Sequence, residues 1–220
     1  MSCRVKRALG WLAALAAFGG LFALRRLWNW GAIPGERLRA LPGDDLIPAP
    51  RLSTTRAIRI AAPPAAIWPW LVQIGWRRAG WYSYDTLERL AGAADFVDGA
   101  RSARRIVPEL QALAVGDLIR LGPEPMPAFA VAQIEPERAL VLHGAEGADG
   151  AGASWAFVLE PHGADATRLI ARFRLTYPPT CANRLLWGAS EAAHLIMERK
   201  MLRGIRQRAQ ASLWRWQRES

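Results

Sequence analysis

From Ala182 to about Arg215 the chain carries a single helical pattern unbroken by proline, and it follows directly on a run of short strand candidates. The strand candidates are Leu118–Leu121, Ala128–Ile134, Ala139–His143, Ser154–Glu160 and Thr167–Thr176, separated by turn residues and closed off by Pro178-Pro179. Upstream, Ser53–Ala61 alternates apolar and polar positions as a further strand, and Pro63-Pro64 end it. Pro64 suits the first turn of a helix running to about Ile74. Gly75 and Gly80 bracket a turn, and Ser83 is placed to N-cap a second short helix, Tyr84–Leu90, with Asp85 near its positive end. The order is strand, two small helices, antiparallel strands, one long helix. This is an α+β chain. A long helix laid across a strongly curved antiparallel sheet cannot touch it everywhere, so a cavity is expected between them.

Between Pro63 and Leu90 the chain concentrates Trp68, Trp70, Trp76, Trp81, Tyr82 and Tyr84. Large rings with polar tips line cavities and interfaces when they cluster, and any one of them can equally be ordinary core. Gly144–Gly152, rich in glycine and alanine, reads as a hairpin tip.

An apolar content of 51% is ample for a core. The net charge of +10 is unevenly placed. Residues 1–40 carry seven Lys/Arg against Glu36 alone, and residues 181–220 carry eight against Glu191, Glu198 and Glu219. The middle, with fourteen basic and fifteen acidic residues, is close to neutral. Two basic ends around a neutral body fit membrane-facing termini better than a groove for nucleic acid, and no nucleic-acid partner is expected. Cys3 and Cys181 lie at opposite ends, which excludes a disulfide framework and any cysteine metal spacing.

Ala8–Leu24 is uncharged, with Arg4, Lys6 and Arg7 before it and Arg25 and Arg26 after it. As a helix it would span about 26 Å at ~1.5 Å per residue, a little short of a ~30 Å hydrocarbon core. Flanking arginines can snorkel, and Trp28 and Trp30 stand where an interfacial belt would sit. A single-pass anchor is the first reading. A cleaved signal peptide, suggested by Ala14-Leu15-Ala16 but opposed by Arg25-Arg26, and a buried or interfacial helix stay open. No cysteine follows the run, so there is no lipoprotein signal, and the flanking charges do not decide orientation. Residues 1–30 are thus expected as anchor, 31–51 as a proline-rich connector and 52–217 as the folded domain.

The segments IRIAAPPAAIWPWLVQIG, GWYSYDTLERL, RIVPELQALAVGD, WAFVLEP and HLIMERKMLRGI resemble the SRPBCC, or START-like, superfamily, and more narrowly a bacterial branch of it. That superfamily includes pollen proteins of the Bet v 1 kind, lipid-transfer domains and polyketide cyclases. The resemblance touches most of residues 50–210 and leaves the amino-terminal segment outside. It implies a helix-grip fold, a curved antiparallel sheet wrapped around the long carboxy-terminal helix, with an internal pocket for a hydrophobic small molecule or lipid. It implies no single activity.

Enzyme motifs are mostly absent: there is no phosphate loop, no HExxH and no nucleophile elbow around Ser190. Glu191, His194 and Glu198 share one helical face, but a di-iron site needs a second such helix, so no metal or cofactor is expected. The long helix would form one wall of the pocket, which makes His194 a candidate acid or base, with Tyr82 and Tyr84 (and Asp85) orienting a carbonyl from the opposite wall. Ligand contacts are expected from Trp68, Trp81, Tyr82, Tyr84, Trp155, His194, Met197 and Met201. Met197, Met201, Leu202, Ile205, Ala209 and Leu213 should face inward. Arg199, Arg203 and Arg206 form a stripe that is either a solvated face or, with Arg25, Arg26, Trp28 and Trp30, a contact with anionic headgroups. Because the negative leaflet faces the cytoplasm, that contact would place the domain there. The expected function is a membrane-tethered binder of a hydrophobic small molecule or lipid. The alternative is a cyclase-, dehydratase- or isomerase-type enzyme using His194 with Tyr82 or Tyr84. A cavity plugged by Trp68, Trp81 or Trp155 would instead mark a scaffold without ligand.

Overall fold

The computed structural model describes residues 27–144 and 150–219, with side chains described as far as Leu213. Six antiparallel strands form one sheet: β1 Leu52–Ile60, β2 Leu118–Arg120, β3 Ala128–Glu135, β4 Ala139–Gly144, β5 Gly152–Pro161 and β6 Thr167–Thr176. Their order across the sheet is β1-β6-β5-β4-β3-β2. Each strand after β2 therefore pairs with its predecessor, and the first closes onto the last through the register Leu52↔Leu175 to Ile60↔Thr167. These strands lie within a residue or two of the alternating segments in the sequence, as expected where one sheet face is buried.

Among the described residues the sheet is accompanied by the helices α1 Pro34–Leu38, α2 Pro64–Val72, α3 Asp85–Leu90 and α4 Cys181–Glu219. The inner face of the sheet presents Ile58, Ile60, Trp155, Phe157, Leu159, Leu169 and Ala171. Against it α4 sets Met201, Leu202, Ile205 and Ala209, all buried, with Leu213 partly so. The inward face assigned to the terminal helix is thus correct from Met201 onward, while Met197 is half-buried. Ile67, Trp70, Leu71 and Val72 of α2 complete the same core.

Asp85 lies in the first turn of α3 as expected, but the capping expectation for Ser83 fails for reasons of side-chain competition. Tyr84, not Ser83, holds the N-cap position of α3, and it makes no side-chain cap. The Ser83 hydroxyl instead donates to the carbonyl oxygen of Met197 at 2.9 Å, tying α3 to α4. Asp85 accepts from both the amide and hydroxyl of Ser102, at 3.2 and 2.7 Å.

Residues 31–51, expected as an irregular connector, contain α1 and a 3-10 turn at Asp44–Leu46, and they strap the outer face of the sheet. Three outward arginines of β6 hold the strap. Arg168 donates to Glu36 at 2.6 Å, Arg172 to Asp44 at 2.5 Å and Arg174 to the carbonyl of Ile47 at 3.0 Å. Beneath it Leu41 joins Ala57, Val158 and Ile170 in a second small core. The strap begins beside β1, where the amide of Ala57 donates to Trp30 O at 3.1 Å and that of Thr55 to Asn29 Oδ1 at 2.9 Å. The packed body of the chain therefore starts near Asn29, ahead of Leu52. The apolar run 8–24, with Arg25 and Arg26, lies outside the described residues. Among the described residues no helix is long and apolar enough to cross a membrane.

Candidate functional site: an apolar cavity between sheet and helix

Where α4 leaves the sheet, the molecule encloses a cavity of about 660 Å³. Trp81, Phe129, Trp155 and Phe173 form its aromatic lining, with Met126, Met197 and Met201 and several alanines filling the rest. Trp81 stacks on Trp155 with ring centroids 5.7 Å apart, so this pair forms one wall and leaves the space open. Leu87 of α3 and Ile196 of α4 line the cavity yet are 48% and 54% exposed, which marks its mouth.

The floor is polar and connected. Arg56 projects from β1 with no solvent exposure and donates to Glu198 Oε2 at 2.5 Å and to Glu191. Trp155 Nε1 donates to the second oxygen of Glu198 at 2.6 Å. The second oxygen of Glu191 lies 3.2 Å from His194 Nδ1. His194 is itself held edge-on between Phe173 and Trp155, at 4.6 and 5.1 Å. Burial pushes the Glu191 carboxyl up, but His194 and Arg56 outweigh it and hold the group below its usual range. For Arg56, burial pulls the guanidinium down and the two carboxylates more than restore it. Two carboxylates share one guanidinium, so the network keeps an excess of acid toward the cavity.

A second polar group stands apart. Glu88 of α3 lines the cavity, is 5% exposed, and neither carboxylate oxygen has a hydrogen-bond partner among the described residues. Burial first, and Asp85 second, push its carboxyl up to about 7. Helix α3 is turned against its own pattern: Leu90 is exposed and Glu88 is inside.

Of the residues expected to contact ligand, Trp81, Trp155, His194, Met197 and Met201 line this cavity. Trp68, Tyr82 and Tyr84 do not. Trp68 packs on the outside of the main core, and Tyr84 is 41% exposed beside Lys200. Tyr82 adopts φ 55 and turns away from the cavity, its hydroxyl accepting from Gln73 Nε2 at 2.8 Å and its ring lying under Arg208. Burial raises its phenol above the ordinary range. The pairing of His194 with Tyr82 or Tyr84 is therefore not assembled. The basic stripe is also not a free face, since Arg199 and Arg203 lie over the ring of Trp30 at 5.0 and 5.1 Å and Arg206 is half-buried. Trp28 is half-buried, and Arg25 and Arg26 lie outside the described residues. Among the described residues no group of three or more His, Cys, Asp or Glu is arranged to hold a metal ion.

Two residues of the candidate site were not singled out in the sequence. Arg56 had a signal: it shares the period of Ile58 and Ile60 and so must face inward. Glu88 had none, because six residues of helix give too short a pattern.

A six-stranded antiparallel sheet, two short helices after its first strand and a terminal helix clasped over a cavity decide the architecture. The fold is a helix grip, a curved sheet clasping one long helix. No protein-family model and no curated protein matches the chain. Solved structures similar to this chain include a START superfamily protein from Mycobacterium smegmatis, at 13% identity over 70% of this chain and 97% of that one, with a TM-score of 0.40. Protein NE0264 from Nitrosomonas europaea shares 13% identity over 73% of this chain and 96% of its own, with a TM-score of 0.45. CalU16 from Micromonospora echinospora shares 16% over 72% and 84%, with a TM-score of 0.35. Similarity at this level adds no weight beyond the topology itself.

Proposed function

We propose that this START-like domain binds a hydrophobic small molecule in the cavity between sheet and α4, and that residues 8–24 tether it to a membrane where such molecules partition. The observation that carries the binding reading is the cavity of about 660 Å³, of a size that suits a compact apolar ligand, with an apolar lining and few polar groups. Its mouth, at Leu87 and Ile196, is apolar too. The tether rests on the uncharged run and its basic flanks alone. The cyclase, dehydratase or isomerase alternative loses its tyrosines to other surroundings, so binding without turnover is the better supported reading.

Native mass spectrometry of the full-length protein, followed by solvent extraction, tests the binding. A co-purifying hydrophobic mass is expected from the wild type. Ala153→Trp, which fills the cavity from β5, should abolish it with the far-ultraviolet circular dichroism unchanged. Equal ligand content in the two proteins, or none in either after exposure to a lipid extract, would refute the reading. For the tether, removal of residues 1–26 should move the protein from the membrane fraction to the supernatant; unchanged sedimentation would refute it.

A further inference from the structure

We infer that the molecule held in the cavity is a hydrophobic amine, bound as a cation with its nitrogen at Glu88. The inference rests on the cavity being a ligand site and adds the chemical class. Three acidic side chains line the cavity, Glu88 on α3 and Glu191 and Glu198 on α4, with no lysine or arginine among the lining residues. Arg56 reaches the latter two carboxylates from behind, from β1, and is spent on them. His194, the one other titratable group in the lining, is turned with Nδ1 toward Glu191 and Nε2 toward Glu198.

Glu88 is different from these. A buried carboxyl without a partner is destabilising, most of all in the ionised form, and folded proteins rarely retain one without use for it. Both of its oxygens are unpartnered among the described residues, and it lines the apolar space directly. Asp85, one turn away on α3, adds further negative potential, while Ser102 satisfies Asp85 itself. An ammonium group supplies what Glu88 lacks, up to two charge-assisted hydrogen bonds in a medium that screens poorly. The lining is also rich in aromatic rings, Trp81, Phe129, Trp155 and Phe173, a residue type that attracts cations. A fatty acid or an anionic lipid headgroup would meet a carboxyl at Glu88 that no cation compensates among the described residues. The burial that pushes the empty Glu88 up to about 7 is relieved when the cation arrives.

The test uses one hydrocarbon body with three heads: dehydroabietylamine, dehydroabietinol and dehydroabietic acid. Each is titrated by calorimetry into the full-length protein in phosphatidylcholine nanodiscs, against empty nanodiscs. The amine should bind at least about tenfold more tightly than the alcohol, as a hydrogen-bonded charge requires, and the acid most weakly. Glu88→Gln keeps shape and removes charge. It should weaken the amine by about tenfold and leave the alcohol within about twofold. Equal affinity for the three heads, tighter binding of the alcohol or acid, or an amine preference that survives Glu88→Gln would overturn the inference. Uptake of the neutral probe N-phenyl-1-naphthylamine separates the two levels. If the probe enters and the amine has no advantage, only the amine assignment falls; if neither the probe nor any of the three binds, the binding reading falls with it.

Discussion

Replacing Arg56 by methionine should be among the most damaging single changes in the protein, and it should weaken the loss of stability on acidification. Methionine matches the stem of arginine and removes the guanidinium that Glu191 and Glu198 share, each with a side chain only 1% exposed. Breaking a buried pair by deleting one partner costs about 3–5 kcal/mol, because the charge left behind is neither solvated nor paired. In the wild type, the Glu191 carboxyl sits below its reference value of 4.5, so its contribution is present above that pH and lost on acidification through the folded value. In Arg56→Met, burial of the Glu191 carboxyl is opposed by His194 alone, so that carboxyl rises from its wild-type position and less stability is lost as the pH falls. The gap between the two proteins should thus be widest near neutrality and narrow on acidification. Urea denaturation followed by circular dichroism between pH 8 and pH 5, about one unit apart, measures it. A gap below about 1 kcal/mol at neutrality, or one independent of pH, would refute the electrostatic account. The triple change Arg56→Met, Glu191→Gln, Glu198→Gln is the control, and it should recover most of the loss.

Glu88 gives the opposite slope in the wild type: its folded value of about 7 exceeds the reference 4.5, so stability present below the lower value is lost as pH rises through the higher one. Relative to Glu88→Gln, the ligand-free wild type should lose about 3 kcal/mol across that window, measured by the same denaturation; parallel curves would contradict the assignment. Gly204→Ala should lower stability by about 1–3 kcal/mol, since an added Cβ comes within 2.8 Å of Tyr82 Cβ and closer still to its carbonyl oxygen. Gly188→Ala on the same helix meets nothing within 4 Å and should be neutral or stabilising, so equal melting shifts for the two would remove the argument. Trp30→Ala should destabilise by about 2 kcal/mol through the lost contacts of Arg199 and Arg203, and a double-mutant cycle with Arg203→Ala should show coupling where independent packing would show none.

The sheet was legible because its physics is local. Alternation marks which residues face the core, and Pro63-Pro64 and Pro178-Pro179 stop the segments on either side. The terminal helix was legible for the same reason, through Met201, Leu202, Ile205 and Ala209. The strap was not. Its prolines forbid a period, and its docking depends on Arg168, Arg172 and Arg174 meeting Glu36, Asp44 and backbone carbonyls far away in the chain. In the site, Trp81 and Tyr82 are neighbours with opposite fates. A left-handed φ at Tyr82, accommodated by the bare Cα of Gly204, turns its ring away, and no sequence pattern announces that turn. Glu88 was invisible because its burial contradicts the amphipathic expectation for so short a helix.

The strap at residues 29–51 also guards against self-association. β1 ends the sheet on one side, and Asn29 and Trp30 occupy the amides of Thr55 and Ala57 that another strand would seek. The other side ends in β2, three residues long and too short to template a partner. A chain trimmed to begin at Leu52 would keep every element that surrounds the cavity. It would also bare a nine-residue strand and the apolar patch of Ala57, Val158 and Ile170, and chains laid open in that way would pair with one another.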